Sequence, residues 1–247
     1  MTSDKVKPAG GPGSPVEYLT GGAEVVEPVG EMAIERAATL ADQVYENIAR
    51  ALLYGVWGPG ERLPVRQFAQ EMLISTTPVR DAMMRLANEG ALTNPDGRGF
   101  WTVRLNKTDF KEMLNIRIAL EGMAGEAATA LMSRADIDRL EDLNESLRSA
   151  IAQDRFAAAQ QVDTQFHLAF YEHAGMPLLN SMVMSMLRRG GPTRSRLQAS
   201  YRKSLVGHTH HGRIIAALRA RDAATVMAEL RADLTDGANS IMTQLED

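Results

Sequence analysis

The chain has 247 residues, 45% of them hydrophobic and 23% charged, with a net charge of −4. These are ordinary figures for a globular protein with room for two modest domains. There is no cysteine, which excludes disulfides and thiolate metal sites and favours a reducing interior.

Residues 1–33 include KPAGGPGSPVEYLTGGAEVVEPVG, rich in Gly and Pro with no helical or strand period, and read as a disordered tail. They hold no apolar run of signal-peptide type, and no later stretch approaches a membrane span. The expectation is a cytoplasmic protein with no membrane partner.

From Thr39 the pattern changes. Leu40, Val44, Ile48 and Leu52 step by four along an amphipathic helix that Gly55 is placed to end. The turn-rich WGPGERLP follows, then a short helix around Arg66–Leu73. In ISTTPVRDAMMRLANEG, Ser75 is a good N-cap and Pro78 falls in the first turn, where a missing N–H costs nothing. Val79, Met83 and Leu86 supply the buried stripe of this helix, assigned to 76–89, and Gly90 closes it. ALTNPDGRGFWTV reads as two short strands joined by an Asp-Gly turn. Helix, helix, turn, helix, hairpin is the order of a winged helix-turn-helix, assigned to 34–105. The segment 39–105 carries seven arginines against seven acidic residues, so a DNA-reading role requires positive charge gathered on one face.

Residues 106–247 show no strand pattern and read as an all-α antiparallel bundle, making the protein mainly α. Helices are predicted at about 108–132, 134–153, 155–174, 177–189, 204–221 and 223–246. Ser133 with Asp136 forms a capping box, while Asp154 and Asp222 each cap the following segment. Gly190-Gly191-Pro192 should break or kink the bundle. Asp163 and His167, four apart, converge on one patch of a helix that Phe156, Phe166 and Phe170 mark as largely buried. A buried carboxylate beside a buried imidazole demands a partner; a metal is one solution, and a hydrogen bond between the two is another. Arg117 lies among Leu114, Ile118 and Leu120, with Glu121 one turn on as a salt-bridge partner of the exposed, weakly stabilising kind. The histidines His208 and His210 read as parts of a partly exposed loop.

The segments LADQVYENIARALLYGVWGPGERL and TTPVRDAMMRLANEGAL and the GRG wing resemble the GntR family of winged-helix regulators. The stretches LNIRIALEGMAGEAA, DTQFHLAFYEHAGMPLL and HGRIIAALRARDAATVMAELRADL resemble the FCD ligand-binding domain of its FadR subfamily. The resemblance implies a homodimeric transcription regulator that binds a palindromic double-stranded operator and senses a small molecule. It places DNA contacts at Arg66, Ser75, Thr76, Thr77, Arg80, Gly97 and Arg98. Arg80 is the best base reader, since a guanidinium spans guanine O6 and N7. Many relatives carry arginine where this chain has Thr76, so the operator sequence does not transfer.

In the metal-binding branch of the FCD family, the resemblance joins Asp163 and His167 to two further histidines. The first maps to His211 and the second to Asp233, which replaces histidine here. Asp233 sits among Val226, Leu230, Leu234 and Ile241 and so faces the bundle. The set implies Zn²⁺, Mn²⁺ or Ni²⁺, with the aspartate favouring a harder ion. Arg117 is implied to hold an effector carboxylate, whose two oxygens match a guanidinium fork. A metal-dependent hydrolase and a metal-free sensor of acyl ligands are the rival readings.

Overall fold

The structure, a computed structural model, describes residues 39–247. The expected tail at 1–33 and the first residues of the 34–105 unit lie outside the described residues.

Helix α1 (Leu40–Leu53) begins at a capping box in which Thr39 and Asp42 bond each other's backbone N–H. Its stripe of Val44, Ile48 and Leu52 is buried, and Gly55 beyond its end takes φ +62°. Strand β1 (Arg62–Leu63) lies inside the segment read as a turn. Helices α2 (Val65–Glu71) and α3 (Thr76–Asn88) follow, then β2 (Leu92–Thr93) and β3 (Phe100–Thr102). The hairpin is as expected, with a single 3-10 turn at Pro95–Gly97, but the sheet has a third member. β3 is central, pairing antiparallel with β2 on one side and β1 on the other. Thr102 secures β1's approach: its hydroxyl donates to the Gly58 carbonyl at 2.6 Å and accepts from the Glu61 N–H at 2.8 Å. α1, α3 and the sheet enclose one core that includes Ile48, Leu52, Val79, Met83, Leu86 and Phe100.

The remaining elements are helices: α4 (Lys107–Leu131), α5 (Arg134–Ala152), α6 (Phe156–His173), α7 (Pro177–Arg194), α8 (Ala199–Lys203), α9 (Val206–Ala220) and α10 (Ala223–Met242). The Ser133–Asp136 capping box and the Asp222 cap are present as expected. Asp154 is not a cap. It sits at φ +55°, and α6 starts on Arg155 without a side-chain cap bond. No described helix is long and apolar enough to cross a membrane.

The main departure is at Gly190-Gly191-Pro192, where α7 runs through to Arg194 without ending. Tertiary packing decides this. A Cβ at Gly191 would overlap the carbonyl oxygen of Leu52, so the missing side chain lets α7 lie directly against α1. A Cβ at Gly190 would come within 2.7 Å of the Met113 side chain on α4. Gly55 extends the same contact, since its own Cβ would meet the Gly191 carbonyl at 2.7 Å. Close helix approach outweighs the local helix-breaking tendency of the sequence.

Gly191→Ala should therefore destabilise the protein by about 2–3 kcal/mol through overpacking. Gly122→Ala, at a helical site with nothing within 4 Å of a new Cβ, should instead stabilise it. The expected gain is about 0.5–1 kcal/mol. Chemical unfolding of both variants checks the pair.

Candidate functional site

Two surfaces carry the expected residues. On the head, Val79, Ala82, Met83 and Leu86 fill the inner face of α3, which turns Arg80 outward. Ser75 has the extended backbone of an N-cap (φ −72°, ψ 164°), but its hydroxyl makes no capping bond. That hydroxyl, Thr76, Thr77 and the free N–H groups of the first turn therefore face solvent together. Arg66 on α2 and Arg80 on α3 are exposed, with no ion pair or side-chain hydrogen bond to any described residue. Gly97 and Arg98 are exposed at the wing tip, where Asp96 and Gly97 take φ +54° and +70°. Arg85 differs. It pairs with Asp42 at 2.7 Å and lies over the Tyr45 ring at 4.3 Å, so it is committed within the head.

Inside the bundle, α4, α6, α7, α8, α9 and α10 border a cavity of about 80 Å³. A cleft of about 360 Å³ beside Tyr54, Arg139 and His173 is larger, but none of the expected ligand residues lines it. The small cavity is the candidate because Arg117, Asp163, His167 and Asp233 line it, with His211 3.8 Å from both carboxylates though not itself in the lining. Asp163 and His167 come from α6, His211 from α9 and Asp233 from α10. Asp163, His167 and His211 each offer a donor atom within 4.8 Å of the others. The Asp233 Oδ2 lies 3.2 Å from His167 Nε2 and 3.8 Å from His211 Nε2.

His211 is fully buried, stacked on Phe166 at 3.8 Å, and neither of its ring nitrogens has a hydrogen-bond partner. His167 Nδ1 is also unpartnered. Burial opposes charge on His167, but the hydrogen bond and charge of Asp233 outweigh it and hold the imidazole above its usual pKa. Burial likewise opposes ionisation of Asp233, and the contact with His167 together with the nearby His211 imidazole outweighs it, keeping the carboxyl well below its ordinary range. Two imidazoles and the Asp163 carboxylate, with donor atoms close together and buried nitrogens unsatisfied, fit a divalent cation; Asp233 lies beside them but is outside that group. The alternative bond between His167 and Asp163 is not formed. His167 bonds Asp233, and Asp163 is taken by Arg194.

Arg117 does pair with Glu121, at 2.6 Å, but the pair is buried rather than exposed, with Glu121 wholly shielded from solvent. The Tyr171 hydroxyl donates to the other Glu121 oxygen at 2.5 Å. Burial alone would lower the pKa of Arg117; the charges of Glu121, Tyr171 and Asp233 overcome it and raise it. The guanidinium thus lines the cavity from an anchored position.

His208 and His210 lie on α9 rather than in a loop, because the helix starts at Val206 from a left-handed Leu205. His210 is buried between Glu229 (2.6 Å) and Asp236 (3.1 Å), away from the candidate ligands' own contacts. Sequence reasoning missed Arg194 and Tyr201, which also line the cavity. A GGPTR segment read as a helix break gave no reason to aim Arg194 inward, although its position beyond an uncharged glycine pair was a usable signal once the helix continues.

The family model described as "Bacterial regulatory proteins, gntR family" matches residues 40–101, and the FCD domain matches 112–236. The chain is 31% identical over 186 residues to the HTH-type transcriptional regulator McbR of Escherichia coli K12, covering 74% of this chain and 84% of that one. It is 27% identical to the Uxu operon transcriptional regulator of the same organism, over 76% of this chain and 82% of that protein. Among solved structures, E. coli McbR/YncC superposes with a TM-score of 0.78 at 26% identity, covering 84% and 99% of the two chains. A GntR-type regulator from Rhodococcus sp. RHA1 shares the fold at a TM-score of 0.68 and 18% identity, covering 82% and 97%.

Arg117→Met leaves the Glu121 carboxylate buried without its cation and should cost about 3–5 kcal/mol. The double variant Arg117→Met/Glu121→Met removes both charges and should recover most of that loss. A double-mutant cycle by chemical denaturation measures it.

Proposed function

The chain belongs to the GntR family of bacterial regulatory proteins and carries an FCD domain, and from this we propose that a divalent cation in the FCD bundle anchors a small carboxylate metabolite that sets operator affinity. It is a transcriptional regulator with an effector-binding domain, like its relatives. The DNA-reading head is assigned to 34–105 and the sensing and dimerising bundle to 106–247.

The observation that carries the sensing half is His211, fully buried with two unpartnered ring nitrogens beside His167, Asp163 and Asp233. Orphaned buried polar atoms cost on the order of 1–3 kcal/mol each, and a cation held by these residues removes that cost for the one nitrogen of each imidazole that binds it. The cation would supply a Lewis-acid anchor for a carboxylate. Arg117, fixed by Glu121, turns its remaining N–H groups toward the same space as a second anchor.

Arg80 reads bases and Arg66 assists from α2. Ser75, Thr76, Thr77, Gly97 and Arg98 hold the duplex backbone and the adjoining groove. One recognition helix spans only a few base pairs, so a two-fold dimer on a palindromic site follows.

Two measurements test the reading. Calorimetric titration with Mn²⁺, Ni²⁺ and Zn²⁺ should give one ion per chain, lost in His211→Ala; equal binding by both proteins would refute the site. In a mobility shift on fragments selected from genomic DNA, Arg80→Ala should lose about 1–3 kcal/mol of discrimination at one base pair. Failure of the wild type to retain any fragment at low salt would sink the operator assignment.

A further inference from the structure

The geometry points to Arg194 as the residue through which the DNA-reading head feels the state of the cavity. This rests on the reading of the cavity as a sensor and names how the sensor is connected. Arg194 is the last residue of α7 and spans two partners on α6: Nη2 bonds the Asp163 carboxylate, and Nη1 donates to Thr164 Oγ1 at 3.0 Å. The other oxygen of Asp163 lies 3.8 Å from His211 Nε2. Asp163 therefore stands between two claims: anything in the cavity that engages its carboxylate competes with Arg194 for the same negative charge.

One turn back along α7, the backbone of Gly191 touches the backbone of Leu52 and Leu53 at the end of α1, with no side chain between them. One further turn back, Arg188 donates to the Tyr45 hydroxyl at 2.9 Å, and Tyr45 in turn donates to Glu89 at 2.6 Å, just past the end of α3. A second, parallel link runs from Arg202, which donates to Gln160 Oε1 at 2.7 Å, through Gln160 Nε2 to the Tyr54 carbonyl at 2.9 Å. The Gly191 contact and the Gln160 link both reach the C-terminal end of α1, at Leu52 to Tyr54, while the Arg188 link reaches its middle and the end of α3. A backbone-to-backbone contact has no flexible side chain to absorb a displacement, so a movement of α7 at Arg194 passes to α1 at Leu52. The close packing at Gly190 and Gly191 acquires a purpose: it makes α7 a rigid arm between the cavity and the head.

Amide hydrogen exchange on the full chain tests this without DNA, metal or effector. Asp163→Asn and Arg194→Met each remove one side of the pair. In both, the amides at the end of α1, Ala51 to Gly55, should exchange about tenfold faster, inside the range of coupling between linked sites. The double variant should exchange no faster than either single one, because both act on one link. Arg194→Lys, which keeps a cation beside Asp163, should restore rates most of the way. Arg219→Met, which removes an exposed ion pair with Asp138 and Glu141, should leave α1 unchanged. If Arg194→Met unfolds globally, the near-isosteric Asp163→Asn decides the matter. Acceleration confined to α6 and α7, or additive effects in the double variant, would overturn the assignment. These outcomes are independent of the cation and operator readings, whose failure would appear in calorimetry and mobility shift instead.

Discussion

A polar group taken out of water must find a partner, and the interior of the C-terminal bundle is arranged around that requirement. Helices α4, α6, α7, α9 and α10 together enclose Arg117, Glu121, Asp163, His167, Arg194, His211 and Asp233. Most are paired: Arg117 with Glu121, Glu121 with Tyr171, Arg194 with Asp163 and His167 with Asp233. His211 is the exception, and its isolation among carboxylates gives the site its chemical direction. A bundle held only by apolar packing would not tolerate these groups, so they must be satisfied by one another or by something bound among them.

The head obeys a complementary rule. Its core residues are drawn to one side of α1, α3 and the sheet, which leaves Arg66 and Arg80 outside and without a partner among the described residues. Net charge over the segment is near balance, but Asp42 and Glu89 are spent on Arg85, Tyr45 and Arg188. Those two acidic side chains are thereby engaged within their own contacts, while Arg66 and Arg80 stay exposed.

Much of this was legible in the sequence because it depends on local signals. The stripes of α1 and α3, the Ser133 box, the Asp222 cap and the Asp163–His167 spacing are set by helix periodicity and capping chemistry. What escaped depends on contacts between distant segments. Gly190-Gly191-Pro192 reads locally as a break, yet Leu52 and Met113 make the glycines the condition for two close helix approaches. Strand β1 exists because Thr102 and β3 receive it, not because Arg62–Leu63 has a strand pattern. The burial of the Arg117–Glu121 pair follows from Tyr171, fifty positions away, and no spacing rule reaches that far. The spacing brings Asp163 and His167 together as expected, but the bond of Asp163 to Arg194 joins α6 to α7 and no spacing rule shows it.

The central claim is that the buried imidazoles and carboxylates form a cation site. Anomalous diffraction from crystals grown with Mn²⁺ tests it most directly. The account predicts a single strong peak among Asp163, His167, His211 and Asp233, within ligand distance of both imidazoles. A map with no anomalous signal there, and with both rings hydrogen-bonded to ordered water, would contradict it.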